Sequence, residues 1–250
     1  MTAKNILITG ASSGIGAALA RVYAAPGSHL VLWGRNEERL AVVAEDCRKR
    51  GASVAIACFD LTEFGTLIAN LEMADAEHPL ELAIFNAGMG GSVPPDRIVQ
   101  EAKASVKMAG VNFTAPIAAA NLIAERMAGR GGGRIVLVGS VAGFFPLPMA
   151  PLYSASKAGL ALFAEALRIR LAETKVGVTL VSPGFVDTPM SRGLQQPRLF
   201  LMEADEAAAI IARKINRGAR HIVVPWQFTV IRHATKLIPR PLVRAVLSWF

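Results

Sequence analysis

Short apolar runs alternate with longer amphipathic segments along most of the chain. The sequence predicts a strand for each short apolar run, namely 5–9, 29–33, 53–59, 80–85, 134–138, 178–181 and 221–224. It predicts helices over 15–25, 37–50, 62–76, 152–174 and 203–217, and a mostly helical stretch over about 98–129. Strands that are apolar on both faces and separated by helices are typical of a parallel sheet covered by helices on both sides.

This alternation continues without a linker or a change of composition to about residue 225, and no internal repeat is present. We therefore predict a single α/β domain over residues 1–225, built on a doubly wound parallel sheet with helices on both faces. Residues 226–250 are predicted to form a basic, amphipathic helical tail.

Composition excludes several classes of protein. Of the 250 residues, 52% are apolar and 18% are charged, which excludes intrinsic disorder. No apolar run reaches the ~18 residues of a transmembrane helix, and no basic segment followed by an apolar one precedes the first strand. Cys47 and Cys58 are too few for a disulfide framework. We expect a reduced, cytoplasmic protein.

The net charge of +8 is confined to one end of the chain. Residues 1–206 are formally neutral, and the excess lies in Arg213, Lys214, Arg217, Arg220, Arg232, Lys236, Arg240 and Arg244. Such a segment is typical of proteins that bind nucleic acid or an anionic membrane. Because it contains no recognised DNA- or RNA-reading motif, we expect no nucleic-acid partner.

The first predicted strand runs directly into a glycine-rich turn that opens the first predicted helix. The turn contains Gly10, Ser12, Ser13, Gly14, Ile15 and Gly16. Glycines in this position allow a tight turn, close approach of backbone N–H groups to a pyrophosphate, and close packing of helix on sheet. An ordinary βα turn is the alternative, but the position favours dinucleotide binding and a Rossmann-type fold.

Arg35 follows the second predicted strand, where dinucleotide folds face the adenosine ribose. A guanidinium suits a 2′-phosphate, whereas a carboxylate suits a free 2′-hydroxyl, and no acidic residue occurs before Glu37. The alternative is a surface arginine at a helix start. The position favours NADP(H) over NAD(H).

Tyr153 and Lys157 are four residues apart on a predicted helix, so both side chains can reach the same cleft. A neighbouring ammonium favours the phenolate and is expected to lower the pKa of the tyrosine, which is ~10 in isolation. A tyrosine tuned in this way can exchange a proton with a substrate oxygen near neutral pH. Alone, this spacing is weak evidence, because it occurs by chance on many helices.

Further polar or glycine residues follow the ends of other predicted strands. Ser140 follows the fifth strand, Asn86, Ala87 and Gly88 follow the fourth, and Pro183 and Gly184 follow the sixth. Open α/β sheets bind ligands at this edge. With these motifs, the chain closely resembles the classical short-chain dehydrogenase/reductase family over about residues 4–225. Phe85 departs from the family pattern, which often has asparagine there, at a position we interpret as structural.

The resemblance implies a role for each catalytic candidate. Tyr153 would be the general acid/base, and Lys157 would hold the nicotinamide ribose and lower the pKa of the tyrosine. Ser140 would donate a hydrogen bond to the substrate oxygen. Asn112 would anchor a water in the proton relay.

The resemblance also implies a cofactor site. Asp60, followed by Leu61, would contact the adenine ring, and residues 86–88 would support the adenosine side. Ser13 and Arg35 resemble the 2′-phosphate contacts of NADP-preferring members. The nicotinamide and phosphate side would be formed by Pro183, Gly184, Val186 and Thr188. The scattered histidines and cysteines predict no catalytic metal.

We therefore expect an NADP(H)-dependent oxidoreductase that interconverts a carbonyl and a secondary alcohol. Two segments with few charges, 141–152 and 190–202, are expected to border the substrate pocket and to favour a largely apolar substrate. The alternative is that their apolar residues pack a lid or a subunit interface. Their apolar side chains include Phe144, Phe145, Leu147, Met149, Leu194, Leu199, Phe200 and Leu201. The alternative function is a cofactor-binding regulatory or scaffold protein with little turnover.

Two questions of assembly stay open at the level of sequence. The resemblance implies a homodimer or homotetramer, but the apolar stripe Leu160, Phe163, Ala164 and Leu167 suits either the chain's own sheet or a partner. The tail suits a lid, a subunit interface or a membrane-surface segment, because apolar residues at helical spacing are flanked by arginine and lysine.

Overall fold

A computed structural model describes residues 3–193 and 197–237. Within them, seven parallel strands form one sheet in the order β3-β2-β1-β4-β5-β6-β7. The strands are β1 Asn5–Thr9, β2 His29–Gly34, β3 Ser53–Cys58, β4 Leu82–Phe85, β5 Gly133–Val138, β6 Val176–Pro183 and β7 His221–Val224. The predicted doubly wound α/β class is confirmed.

The helices of the described residues cover both faces of this sheet. They are α1 Gly14–Tyr23, α2 Glu37–Lys49, α3 Phe64–Glu77, α4 Ala102–Ala109, α5 Ala115–Gly129, α6 Pro151–Arg170, α7 Pro189–Arg192, α8 Ala204–Asn216 and α9 Gln227–Leu237. Side chains of successive strand residues point to opposite faces. Accordingly, Ile6 and Ile8 pack with α1, α2 and α8, whereas Leu7 packs with α3, α5 and α6.

The packing of α6 settles where its apolar stripe lies. Leu160, Ala164 and Leu167 are buried against the sheet, and Phe163 packs beside them. Leu162 and Ile169, on another face of the same helix, are about 70% exposed. The stripe noted in the sequence therefore belongs to the chain's own core.

The middle of the chain, which was expected to be mostly helical over about 98–129, is helical from residue 102 and divides into separate elements. Helix α4 begins at Ala102, and a π-helical turn over Gly110–Thr114 separates it from α5. A 3₁₀ turn over Val141–Phe144 and the short α7 were not predicted, because single turns are too short to show an amphipathic period. Among the described residues, no helix is both long and apolar enough to cross a membrane.

The strand order has a consequence for ligand binding. The chain moves outward from β1 to β2 and β3, and then returns to place β4 on the other side of β1. The connections after β1 and β4 therefore lead to opposite faces, and a crevice opens between them at the carboxyl edge of the sheet. Every predicted site residue that follows a strand lies along this edge.

Candidate active site

The glycine-rich turn after β1 approaches two other loops closely. Gly10 and Gly14 have φ angles of +68° and +54°, in the left-handed region that side chains disfavour. A Cβ at Gly10 would lie 2.8 Å from Cα of Ala87, and one at Gly14 would lie 2.8 Å from Cγ2 of Thr188. Glycine is required here by both conformation and space. The turn thus brings together the loops after β4 and β6.

The other residues of this turn lie at the start of α1. Ser13 is its N-cap residue, yet its side chain makes no capping hydrogen bond. A Cβ at Gly16 would overlap the Gly10 carbonyl and the Asn86 amide, so α1 starts tightly against the strand ends. Ser12 lies beside Gly34 at the end of β2, and Ile15 packs at the edge of the core.

Thr9 joins the ends of β1 and β4, a role that sequence analysis missed. Its buried hydroxyl accepts hydrogen bonds from the backbone N–H groups of Asn86, at 3.1 Å, and Ala87, at 3.0 Å. In return, the Asn86 side-chain amide donates to the Thr9 carbonyl at 3.1 Å. A threonine ending an otherwise apolar strand was the available signal. These bonds set the spacing of the two loops that flank the crevice.

Asn112 lies in the π-helical turn and is fully buried. Its Oδ1 accepts from the Met89 N–H at 2.7 Å, and its Nδ2 donates to the Met89 carbonyl at 2.9 Å. Nδ2 also lies 3.4 Å from Oγ of Ser156. Asn112 therefore holds the segment after β4 against α6.

Lys157 extends from α6 into the same region. Its Nζ donates to the Val138 carbonyl, at the end of β5, over 3.0 Å. A Cβ at Gly88 would lie 3.4 Å from both this Nζ and Oδ1 of Asn112. Burial lowers the pKa of Lys157 to about 8. A buried amine with so low a pKa changes its charge readily near neutral pH.

Tyr153 lies one turn before Lys157, with the Lys157 Nζ 5.9 Å from its ring centroid. Burial raises the pKa of Tyr153, and a hydrogen bond with Ser140 acts in the opposite direction. The expected lowering by Lys157 is therefore not present in this structure. Lys157 is directed at the Val138 carbonyl, and the loss of hydration around the phenol outweighs the hydrogen bond from Ser140.

Ser140 directly follows the end of β5 and begins the 3₁₀ turn. Its Oγ accepts from the Ala142 N–H at 3.1 Å, which fixes the side chain at the start of the turn. The hydroxyl hydrogen is left for another acceptor. Ser140, Tyr153, Lys157 and Asn112 are thus brought together from β5, α6 and the π-helical turn.

The expected adenosine side of the crevice is charged. Asp60 accepts from the N–H and the hydroxyl of Thr62 at 3.0 and 2.8 Å, and its pKa is lowered, chiefly by the backbone N–H. Its other oxygen lies 3.4 Å from Nζ of Lys107 and 3.9 Å from Nη1 of Arg35. Lys107 was missed because α4 carries no motif and reaches this site only in the folded chain. Leu61 packs at the edge of the core.

The loop after β6 is held in place by hydrogen bonds to β7 and to α7. Gly184 donates its N–H to the Val224 carbonyl at 2.7 Å, next to the Pro183–Val224 pair of the sheet. The buried Val186 accepts from the hydroxyl of Ser191 at 2.6 Å. Ser191 and Thr188 also cap α7 reciprocally, through bonds of 3.1 and 3.2 Å. Sequence analysis did not identify Ser191, since α7 itself was not predicted.

The expected pocket walls are partly apolar and partly exposed. Met190, Leu199, Phe200 and Leu201 are each 42–48% exposed, and Phe144 and Phe145 are half-buried. Leu194 lies outside the described residues, as do residues 238–250 of the expected amphipathic tail. Within the described chain, no cluster of three His, Cys, Asp or Glu side chains could hold a metal ion.

An open cleft of about 400 Å³ lies between the segment after Gly88 and α4. A Cβ at Gly90 would lie 3.0 Å from Cγ of Met190, so the cleft adjoins α7. Its lining combines apolar side chains such as Met89 and Met108 with polar and charged ones such as Arg97 and Gln100. This cleft, whose lining comes from residues 89–108 and not from the two expected wall segments, is therefore partly polar.

Comparison with known proteins agrees with this geometry. The sequence model of the family described as short chain dehydrogenase matches residues 4–199. An uncharacterized oxidoreductase of Myxococcus xanthus is 34% identical over 243 residues, covering 97% of this chain and 95% of that protein.

Solved structures with the same fold include a short-chain dehydrogenase of Sphingobium yanoikuyae in complex with NADPH, at TM-score 0.81 and 29% identity, covering 93% of each chain. Another, from Burkholderia phymatum in complex with NAD, has TM-score 0.82 and 26% identity, with 92% of each chain covered.

A third is the bulky-bulky ketone specific alcohol dehydrogenase of Comamonas testosteroni, at TM-score 0.80 and 28% identity, covering 96% of each chain. The family model spans most of this chain, and the three structures share its fold over nearly their whole length. The chain therefore belongs to the short-chain dehydrogenase/reductase family of nicotinamide-dependent oxidoreductases.

Proposed function

We propose that this protein is an NADP(H)-dependent reductase or dehydrogenase that interconverts a carbonyl and a secondary alcohol on a largely apolar substrate. The observation that carries the proposal is the convergence of Ser140, Tyr153 and Lys157 beside the glycine-rich turn. A regulatory or scaffold role gains no support from this arrangement, because binding alone would not need a proton donor beside a titratable amine.

The crevice fits a dinucleotide. Gly10 and Gly14 form a cradle that a side chain at either position would fill, and the N-terminus of α1 opens onto it. When bound, a nicotinamide cofactor supplies or accepts the hydride. Residues 10–16 would hold its pyrophosphate, Asp60 and residues 86–88 its adenosine, and residues 183–188 its nicotinamide side.

The proton chemistry belongs to side chains of α6 and β5. In the reducing direction, Tyr153 donates its hydroxyl proton to the substrate oxygen, and the Ser140 hydroxyl donates a hydrogen bond to the same oxygen. The Lys157 amine, whose Nζ lies 5.9 Å from the centroid of the Tyr153 ring, would bind the nicotinamide ribose and pass a proton onward. Asn112 holds the Met89 segment beside α6 and would anchor the water of the relay.

The charges beside Asp60 support a preference for NADP(H). Arg35 and Lys107 share one carboxylate, which leaves an excess positive charge at the edge of the adenosine site. The Arg35 side chain is 57% exposed, so its guanidinium is accessible to a 2′-phosphate. Ser13, whose hydroxyl makes no capping bond, would be a second contact of this phosphate.

The inner pocket walls support a substrate with a substantial apolar part. Phe144, Phe145 and the exposed Met190, Leu199 and Leu201 present apolar surface near Ser140 and α7. The ketone specificity named for the Comamonas testosteroni relative is consistent with a bulky carbonyl substrate. The charged outer cleft near Arg97 would accept a more polar end.

We further propose that the enzyme acts in the cytoplasm as a homodimer or homotetramer. The exposed Leu162 and Ile169 on α6 and Val106 on α4 offer an apolar surface for a second copy.

Peripheral membrane contact is a second proposal for the tail. Trp226 and Val230 are exposed in its described part, at 66% and 55%, and all four arginines and lysines of the tail follow Val230 in the sequence.

Tyr153→Phe is expected to lower kcat by about a hundredfold or more, because the proton donor is removed while the ring stays. Cofactor binding, followed by fluorescence titration with NADPH, should change little. Tyr23, the other tyrosine of the chain, has a buried hydroxyl without a partner, so Tyr23→Phe is the matched control. A Tyr153→Phe enzyme with near-normal turnover would refute the assignment.

Lys157→Met is expected to change how stability depends on pH. The folded chain releases the Lys157 proton near pH 8, whereas an unfolded lysine retains it to about pH 10.4. The unfolded chain binds more protons between these values, so the free energy of unfolding rises with pH there, by roughly 2 kcal/mol. Urea unfolding at about pH 7.5 and 9.5 should show this rise in wild type and in the exposed-site control Lys103→Met, but not in Lys157→Met. Equal slopes for all three proteins would contradict it.

Arg35→Asp is expected to reduce the preference for NADPH over NADH, because it removes a cation and adds a carboxylate beside the 2′-phosphate. A loss of about 2 kcal/mol of charge-assisted binding corresponds to about a thirtyfold change in the ratio of kcat/KM values. Arg39→Asp, on the exposed first turn of α2, should leave the ratio unchanged. If wild type uses both cofactors equally well, the argument from Arg35 is wrong.

Ketones graded by size and polarity test the proposed substrate class through NADPH consumption. We expect kcat/KM to rise about threefold or more with each added CH₂ that is buried in the pocket. A matched pair that differs only in a terminal methyl or carboxylate is the control for charge. A consistent preference for the small, charged member would argue against an apolar substrate.

A further inference from the structure

Helix α9 touches two segments of the active site through residues one turn apart. Phe228 and Arg232 are four positions apart and therefore share a face of this helix. We propose that these two residues, the α9 clasp, set the position of the loop after β6 relative to the turn that begins at Ser140, with Arg232 as a positioning residue. The proposal rests on the proposed function, since it concerns the same reacting groups.

Phe228 holds the loop after β6. Its ring is buried and occupies the space that any side chain at Gly184 would need. The ring centroid lies 6.3 Å from that of Phe185 and 5.7 Å from that of Phe200, which it meets edge-on. Phe228 thus packs against both ends of the segment that carries Thr188 and α7.

Arg232 holds the other segment. Its guanidinium carbon lies 4.7 Å from the ring centroid of Phe144, a cation–π distance. Its Nη1 lies 3.4 Å from Nδ1 of His221, and Nε2 of that ring lies 2.9 Å from Oγ of Ser182. Burial and the Arg232 charge lower the pKa of His221 to about 4, so the ring is neutral and accepts from Arg232 at Nδ1.

The 3₁₀ turn over Val141–Phe144 lies between Arg232 and α6, and contacts on both sides restrict its movement. Phe144 ends the 3₁₀ turn whose first residues are joined by the bond from Ala142 to Ser140. On its other side, a Cβ at Gly143 would lie 2.8 Å from the carbonyl carbon of Lys157. A displacement of the Phe144 ring therefore moves the Ser140 hydroxyl relative to α6, where Tyr153 and Lys157 are located.

A purely structural role and a positioning role for Arg232 predict different effects on the folded fraction and on kcat. If Arg232 only stabilised the fold, its loss would lower the folded fraction and leave the kcat of folded enzyme unchanged. If it positions the Ser140 turn, its loss lowers kcat and leaves NADPH affinity near wild type, because Arg232 contacts Phe144 and His221, which belong to neither the glycine-rich turn nor the Asp60 loop. The effect of replacing Arg232 on kcat should also disappear in a protein whose Phe144 is already replaced.

The test uses the full chain with NADPH and a ketone that wild type reduces. Arg232→Gln and Phe144→Leu should each lower kcat by about tenfold, because each removes the cation–π contact that holds the turn. The double variant should be no slower than either single one, and the KM for NADPH should stay within about twofold. His233→Gln, an exposed neighbour on α9, is the matched control.

Hydrogen–deuterium exchange gives a readout independent of turnover. Arg232→Gln should accelerate exchange in residues 141–150 and leave exchange in α1 unchanged, whereas His233→Gln should alter neither. Wild-type kcat in Arg232→Gln, or multiplying losses in the double variant, would overturn the clasp. If wild type reduces no ketone at all, the proposed function fails, and faster exchange confined to residues 141–150 would still support the clasp.

Discussion

The site depends on the hydrogen-bonded junction between the ends of β1 and β4. At this point the strand order reverses, and the following loops lead to opposite faces of the sheet. The Thr9 hydroxyl binds two N–H groups of the β4 loop, and the Asn86 amide returns a bond to the Thr9 carbonyl. These exchanged bonds bring Gly10 so close to Ala87 that no side chain fits between them. The proposed cradle for a pyrophosphate and the loop that reaches Lys157 consequently share one base.

Above that base, burial determines the electrostatics of the proposed catalytic groups. Tyr153 and Lys157 both lose hydration, so burial raises the pKa of the phenol and lowers the pKa of the amine. Each group is thereby driven toward its neutral form. Such a pair is suited to exchanging a proton, since neither partner is held strongly in a charged state. The Ser140 hydroxyl and the Val138 carbonyl supply the directional contacts that burial alone does not provide.

Helix α9 connects the catalytic edge to the basic end of the chain. Its described part packs against Gly184 and Phe144, so at least one side of the tail is part of the site's architecture. Trp226 and Val230 remain exposed on another face. One face of α9 therefore packs against the site segments, and the other face is accessible to a second copy of the chain or to an anionic membrane surface.

The sequence by itself determined the sheet, the helices on both its faces, and the group of residues at its carboxyl edge. Apolar periodicity is a local property, and the glycine-rich turn and the Tyr153–Lys157 spacing are short motifs that need no knowledge of distant residues. It did not determine the π-helical turn at Asn112, the cap of α7, or the contributions of Thr9, Lys107 and Arg232. Those depend on contacts between positions far apart in the chain, such as Lys107 with Asp60 and Arg232 with Phe144. The sign of the Tyr153 pKa shift was likewise decided by tertiary structure, because desolvation depends on everything that packs around a side chain and leaves no mark on its sequence neighbours.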